Sequence, residues 1–269
     1  YCGVVGFKPS FGRISRFGVL PLSWSLDHVG IIVRTVVDAA LVYQAIAGPD
    51  ARDPACLGLP VPNVTEAGHS PDAAPRLGLV LDFMERAEPE VRDHLESVAT
   101  RWERAGAEVR RVRLPLPMDT VLATHQVVMQ SEAAAVHSAN LTAHAAGYRP
   151  LLRAYVENGH LIPAAAYLQA QRLRRRIKEQ VASLLDGLDG FLTPTASNVA
   201  PVPATTGDRS FQALWTMLGS PAIALPSGFD SVGMPFSVQL AGRHLDDEGL
   251  LATARWCEAN LDPMPAPVL

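Results

Sequence analysis

The sequence predicts an α/β fold, one domain with a helical insertion, and three observations predict it. Short apolar, β-branched runs alternate with segments of helical periodicity. Gly and Pro punctuate most of the junctions between them. One long stretch, residues 119–187, lacks strand-like runs and reads as helical throughout.

Taken in order, "CGVVGFKP" is short, apolar and rich in Val, and it ends on Pro, as a strand does. From Thr35 to Ala47, apolar residues recur at Val36, Ala40, Tyr43 and Ala47, which is helical spacing. Thr35 is placed to cap that helix, and Gly48-Pro49 to stop it. Residues 49–75, crowded with Pro and polar side chains, predict a long surface loop. "RLGLVLD" then predicts a buried strand. "PEVRDHLESVATRWERAG" predicts an amphipathic helix with Pro89 in its first turn and Gly106 as its stop, and "AEVRRVRLP" a second strand. Together they make a right-handed βαβ unit. Within 119–187 the breaks fall near Gly147–Pro150 and Gly159–Pro163, dividing it into three helices. The remainder returns to alternation: strand "GFLTPT", a Pro-rich loop, helix "FQALWTML", strands "AIALP" and "FSVQLAG", and a helix from about Asp246 to Asn260.

With 269 residues, 48% hydrophobic and 19% charged, the chain has a globular composition. A net charge of −4 argues against a nucleic-acid partner, which needs a basic footprint. Cys2, Cys56 and Cys257 are too few and too scattered for a disulfide framework or a zinc site, so a reducing, cytoplasmic setting is expected. The longest apolar run, "VGIIVRTVVDAALVYQAIAG", is interrupted by Arg34 and Asp38, so no membrane span is expected.

Four clusters carry candidate chemistry. Ser25, Asp27 and His28 hold the residue types of a hydrolytic triad. At this spacing the side chains diverge, and no G-x-S-x-G elbow surrounds Ser25, so a loop-holding Asp turn is the better reading. Lys8 and Lys178 are the only lysines among 23 basic residues. Lys8, at the end of a buried strand, suits an ammonium bonded to strand-end carbonyls better than a neutral base. The run "RLRRRIK" (Arg172–Lys178) falls opposite the stripe Ala166, Ala170, Leu173, Ile177, Val181 and Leu184, which predicts a solvated cationic face. Glu132, His137 and His144 are spaced too widely for metal ligation along one helix, and no phosphate-binding Gly motif occurs. No metal or cofactor is expected.

The ordered stretch "CGVVGFKP", "GRISRFGVLP", "SLDHVG", "RTVVDAAL" and "IAGPDARDP" resembles the amidase signature family in the segment just after that family's serine nucleophile. "AAAYLQAQRLRRRI", "FLTPTA", "GSPAIALPSGF" and "PFSVQLAGRHLDDEGLLATA" follow in the family's order, so the resemblance covers nearly the whole chain. It implies a three-layer α/β/α fold with one mixed sheet, here incomplete, with residues 1–269 forming a single partial domain and 119–187 its helical region. It also implies hydrolysis of a small-molecule amide by a Ser–Ser–Lys set through an acyl-enzyme, with a Gly-Ser-rich loop as oxyanion hole. Those residues belong upstream of Tyr1. The present sequence has no "GGS", and Lys8 matches the "FKP" lysine, which is not the family's catalytic one. The resemblance therefore places no catalytic residue in this chain.

For the pocket wall, the resemblance points to Trp24, Asp27 and Thr195, in the "SLD" loop and at the end of "FLTPTA". Trp24 offers a flat face for an aryl or alkyl acyl group. "WTML", where many relatives carry Asn, also suits an apolar pocket. Two alternatives accompany the amidase reading: a non-catalytic remnant or binding module, and the glutamine-hydrolysing subunit of a transamidosome. Relatives of the latter kind usually read "AFASSLD" where this chain has "PLSWSLD". The expected partner is the amide substrate, with neither nucleic acid nor membrane, and a homodimer is left open.

Overall fold

In the computed structural model, which describes residues 1–64 and 73–263, strand β1 (Val5–Lys8) buries Val5 and Phe7 on one face, the alternation of a pleated strand. It pairs antiparallel with β2 (Ile31–Val33), a strand the sequence reading does not assign. Three residues give too little alternation to register as a strand. Helix α1 (Val36–Ile46) begins where expected: Thr35 accepts the Asp38 N–H at 3.1 Å, and Gly48, at φ 143°, takes the chain out of it. Of the loop predicted over 49–75, residues 65–72 lie outside the described residues.

A parallel βαβ unit follows: β3 (Arg76–Val80), the short α2 (Leu81–Met84), α3 (Pro89–Arg104) and β4 (Glu108–Val112). Helix α3 buries Val91, Leu95, Val98 and Trp102, the stripe its periodicity predicts. Three helices come next, α4 (Met118–His144), α5 (Pro150–His160) and α6 (Ala164–Leu184). Gly159 does more than mark the α5–α6 break. A Cβ there would stand 2.1 Å from the Gln130 carbonyl oxygen, so α4 and α5 meet backbone to backbone. The chain ends with β5 (Gly190–Pro194), α7 (Ser210–Leu218), β6 (Ala222–Phe229), β7 (Pro235–Ala241) and α8 (Asp247–Ala259). Gly219, left-handed at φ 69°, closes α7.

The described strands form one mixed sheet in the order β2-β1-β6-β7-β5-β3-β4. The β5-β3-β4 part is parallel and the rest antiparallel. One face packs Phe7, Leu79, Leu192 and Leu240 against α1, α3 and α8. The other packs Val80, Phe191 and Ala241 against α2, α4, α6 and α7. The α/β/α layering is thus present, with Phe7, Tyr43 and Trp102 among the large side chains filling one interface and Phe83, Phe211 and Trp215 among those filling the other. Among the described residues no helix is long and apolar enough to cross a membrane.

Candidate functional site

The sequence-predicted residues fall in two places. The first is the loop between β1 and β2. Asp27 Oδ2 accepts the backbone N–H groups of Leu22 (2.8 Å) and Ser23 (3.0 Å), the loop-holding role expected of it. Ser25 and His28 do not meet. His28 Nδ1 lies 2.6 Å from the Leu26 carbonyl, while Ser25 Oγ is bonded to Glu132 Oε1 at 2.7 Å and to Arg174 at 2.7 Å. The three residues form no triad.

Glu132, 1% exposed on α4, is the anchor that sequence reasoning missed. Its carboxylate accepts from Ser23 Oγ (2.6 Å), Ser25 N (3.0 Å), Ser25 Oγ and the Tyr167 hydroxyl (3.1 Å). Arg174 of α6 completes the clamp, donating to the Ser25 carbonyl at 2.9 Å and to the Met217 carbonyl at 2.6 Å. This corrects the expectation that Arg172–Lys178 is a uniformly solvated face. Arg172, Arg175 and Arg176 are exposed, whereas Arg174 and Lys178 are half-buried. A lone Glu in an Ala-rich helix carries no signal for such a role. A buried carboxylate with this many donors holds its loop firmly. Trp24 rides on that loop with its side chain 47% exposed.

Lys8 fits its expected place: its ammonium donates to the Ser220 carbonyl, and burial pulls its pKa down to about 7 while nearby Asp247 opposes the shift. His28 is held down to about 3 by burial and by the field of Lys8.

The second place is the far end of the sheet. Thr195, just past β5, donates through Oγ1 to the Ser237 carbonyl at 3.0 Å, and Gln212 of α7 donates to the Thr195 carbonyl. Ser237 pairs with Pro226, and the next residue, Ser227, is the extra one in a bulge of β6. A bulge re-aims the side chain it carries. Here Ser227 Oγ stands 2.8 Å from His94 Nε2, with the His94 ring stacked on Phe236 at 4.7 Å. Gly228 admits that approach, since a Cβ there would meet His94 Cε1 at 2.8 Å. No carboxylate among the described residues orients His94 through its other nitrogen, so the pair lacks the third member a hydrolytic triad needs. Burial lowers the His94 pKa.

The structure places Trp24 and Asp27 on the β1–β2 loop and Thr195 just past the end of β5. Thr195 is tied to the first turn of α7 through Gln212, and the Trp24 loop to its last turn through Arg174 and Met217. These points are about 7 Å apart along the helix.

Comparison with known proteins follows the same frame. The family model described as Amidase matches residues 1–251. The chain is 34% identical to an amidase of Pseudomonas putida, covering 93% of this chain and 57% of that protein. It is 32% identical to a glutamyl-tRNA(Gln) amidotransferase subunit of Synechococcus sp. (strain RCC307), over 98% of this chain and 61% of the relative. An amidase crystal structure superposes with a TM-score of 0.83 at 31% identity, over 97% of this chain and 59% of that one. The chain thus spans only about three fifths of the length of the relatives it matches.

Proposed function

The chain belongs to the amidase family, and from that premise we propose that the protein hydrolyses a non-peptide carboxamide through an acyl-enzyme. The single observation that carries this reading is the family match across residues 1–251, with the motifs in unbroken order. The nucleophile and base, a Ser–Ser–Lys set, are supplied from the part of the relatives' length that these residues do not span. The serine attacks the amide carbonyl, the amine or ammonia leaves with a proton relayed from the lysine, and water releases the acid. The residues of this chain supply walls. Thr195, beside the Ser227–His94 pair, and Trp24, on the clamped loop, contact the acyl group at different points of its approach. Asp27 shapes the loop that carries Trp24.

The experiment is ammonia release by the full-length protein from a panel of alkyl and aryl carboxamides, with glutamine included. Release from the apolar amides is the expected result, and release from none of them overturns the reading. Preference for glutamine would instead favour the activity class of the amidotransferase relatives. Failure of a serine-directed fluorophosphonate to label the full-length protein would favour the non-catalytic alternative.

A further inference from the structure

A cavity of about 200 Å3 opens between the C-terminal half of α6, the last turn of α7 and the turn after β7. It lies where β6 starts and β7 ends, opposite the end that carries Thr195 and Ser227. Leu185, Phe191 and Leu218 are among its apolar lining residues, and Lys178, Trp215 and His244 line it as well.

Two of those groups are donors without acceptors. Trp215 is 1% exposed, yet its indole N–H has no hydrogen-bond partner among the described residues. Buried N–H groups are seldom left so. Lys178 is half-buried, and none of the hydrogen bonds or ion pairs among the described residues involves its ammonium. The neighbouring basic side chains are already engaged. Arg243 pairs with Asp186 at 3.1 Å, Arg174 is spent on Ser25 and Met217, and His244 is fixed through Nδ1 to the Gly219 carbonyl at 2.8 Å. The cavity therefore combines an uncompensated positive charge, a dry donor and a hydrophobic body.

We propose that this cavity binds a small carboxylate with a ring-sized apolar body, the carboxylate accepting from Lys178 and the Trp215 indole and the body lying against Leu185, Phe191 and Leu218. The size agrees: an apolar cavity of about 150 Å3 takes a benzene ring, and the additional volume accommodates the carboxyl group. The inference is independent of the amide chemistry, because it is read by binding alone.

The test is calorimetric titration of the full-length protein with benzoate and with its neutral isostere, benzamide. Saturable benzoate binding is expected, with benzamide weaker by roughly tenfold, the difference a charge-assisted hydrogen bond makes. Lys178→Met should weaken benzoate by a similar roughly tenfold factor and leave benzamide nearly unchanged. Trp215→Phe should weaken benzoate and abolish the ligand-induced change in indole fluorescence. Absence of saturable benzoate binding overturns the proposal, as does equal affinity for benzamide or an affinity indifferent to Lys178→Met. Should the variants fail to fold, a crystal of the wild-type protein grown with 4-bromobenzoate decides: bromine beside Phe191 supports the site, and bromine only elsewhere, or none, overturns it.

Discussion

The loop from Leu22 to Asp27 and the segment from Ala196 to Arg209 both adjoin motif-bearing strands, yet they are held in opposite ways. The first is tied by long-range bonds: Glu132 reaches it from α4 and Arg174 from α6, across more than 100 residues of sequence in each case. The second is held mostly by its own neighbours, as in Gly207 N to Thr205 Oγ1 and Ser210 N to Asp208 Oδ1. Its distant ties are the Glu88 N–H to the Ser197 carbonyl and the Arg209 guanidinium over the Tyr155 ring. The difference teaches where rigidity resides. A buried carboxylate must be fully bonded, so it orders everything that bonds it, while an exposed Pro-rich segment meets water and needs no such partner.

Breaking the anchored side should have the largest effect. Glu132→Leu strips four donors of their acceptor and leaves Arg174 uncompensated. A loss of about 3–5 kcal/mol is expected from the midpoint of urea unfolding, with hydrogen exchange accelerating over Leu22–Asp27. Gly159→Ala attacks the same anchor from behind, because the added methyl collides with Gln130 and Ala134, on either side of Glu132. A cost of about 3 kcal/mol by thermal or urea unfolding is expected. Asp27→Ala removes the carboxylate that accepts two backbone N–H groups within the loop and should cost about 1–2 kcal/mol, and in the full-length protein the KM for amides should stay within about twofold. A larger rise in KM would make Asp27 a substrate contact.

A pH series sharpens the picture behind the anchored loop, where Lys8 faces Asp247, His28 and His244. Lys8 titrates at about 7 when folded and near 10.5 when free. Between those values the unfolded chain holds a proton that the folded chain has lost, so this residue makes stability rise with pH across that window. Below pH 7 both states are protonated and the burial cost is present in full. Lys8→Met should therefore flatten the stability profile between pH 7 and 10.5 relative to wild type, and an unchanged slope would show that Lys8 does not titrate there. The smallest effect on stability belongs to Thr195→Val, which removes a single bond to the Ser237 carbonyl and should cost about 1 kcal/mol or less. If Thr195 lines the acyl pocket, the same variant raises KM for amides several-fold in steady-state assays of the full-length protein.

Much of the architecture was legible in the sequence alone. Thr35 as a cap, Pro89 at the start of α3, Gly106 after it and the division of 119–187 into three helices are local signals, read from a few adjacent residues. Strand β2 escaped because three residues cannot show a period. The site was less legible. His94 and Ser227 are 133 residues apart, and only the bulge in β6 together with the bare Cα of Gly228 brings them together. Glu132 looked like any helical carboxylate until the β1–β2 loop was seen resting on it.

What the sequence determined by itself is the set of secondary elements, their order and the family they belong to, because capping, periodicity and motif order are written within short windows. What only the tertiary structure decided is which polar side chains are buried and whom they meet. Arg174 borders the apolar stripe of α6, four residues after Ala170, but Lys178 and Arg176 stand at similar distances on its two sides; the packing of α6 on α7 and on the loop below it turns Arg174 and Lys178 inward and leaves Arg175 and Arg176 in water. Burial is set by long-range packing, and the cost of an unpaired polar group is set by burial, so the partners follow from the fold and not from the local sequence.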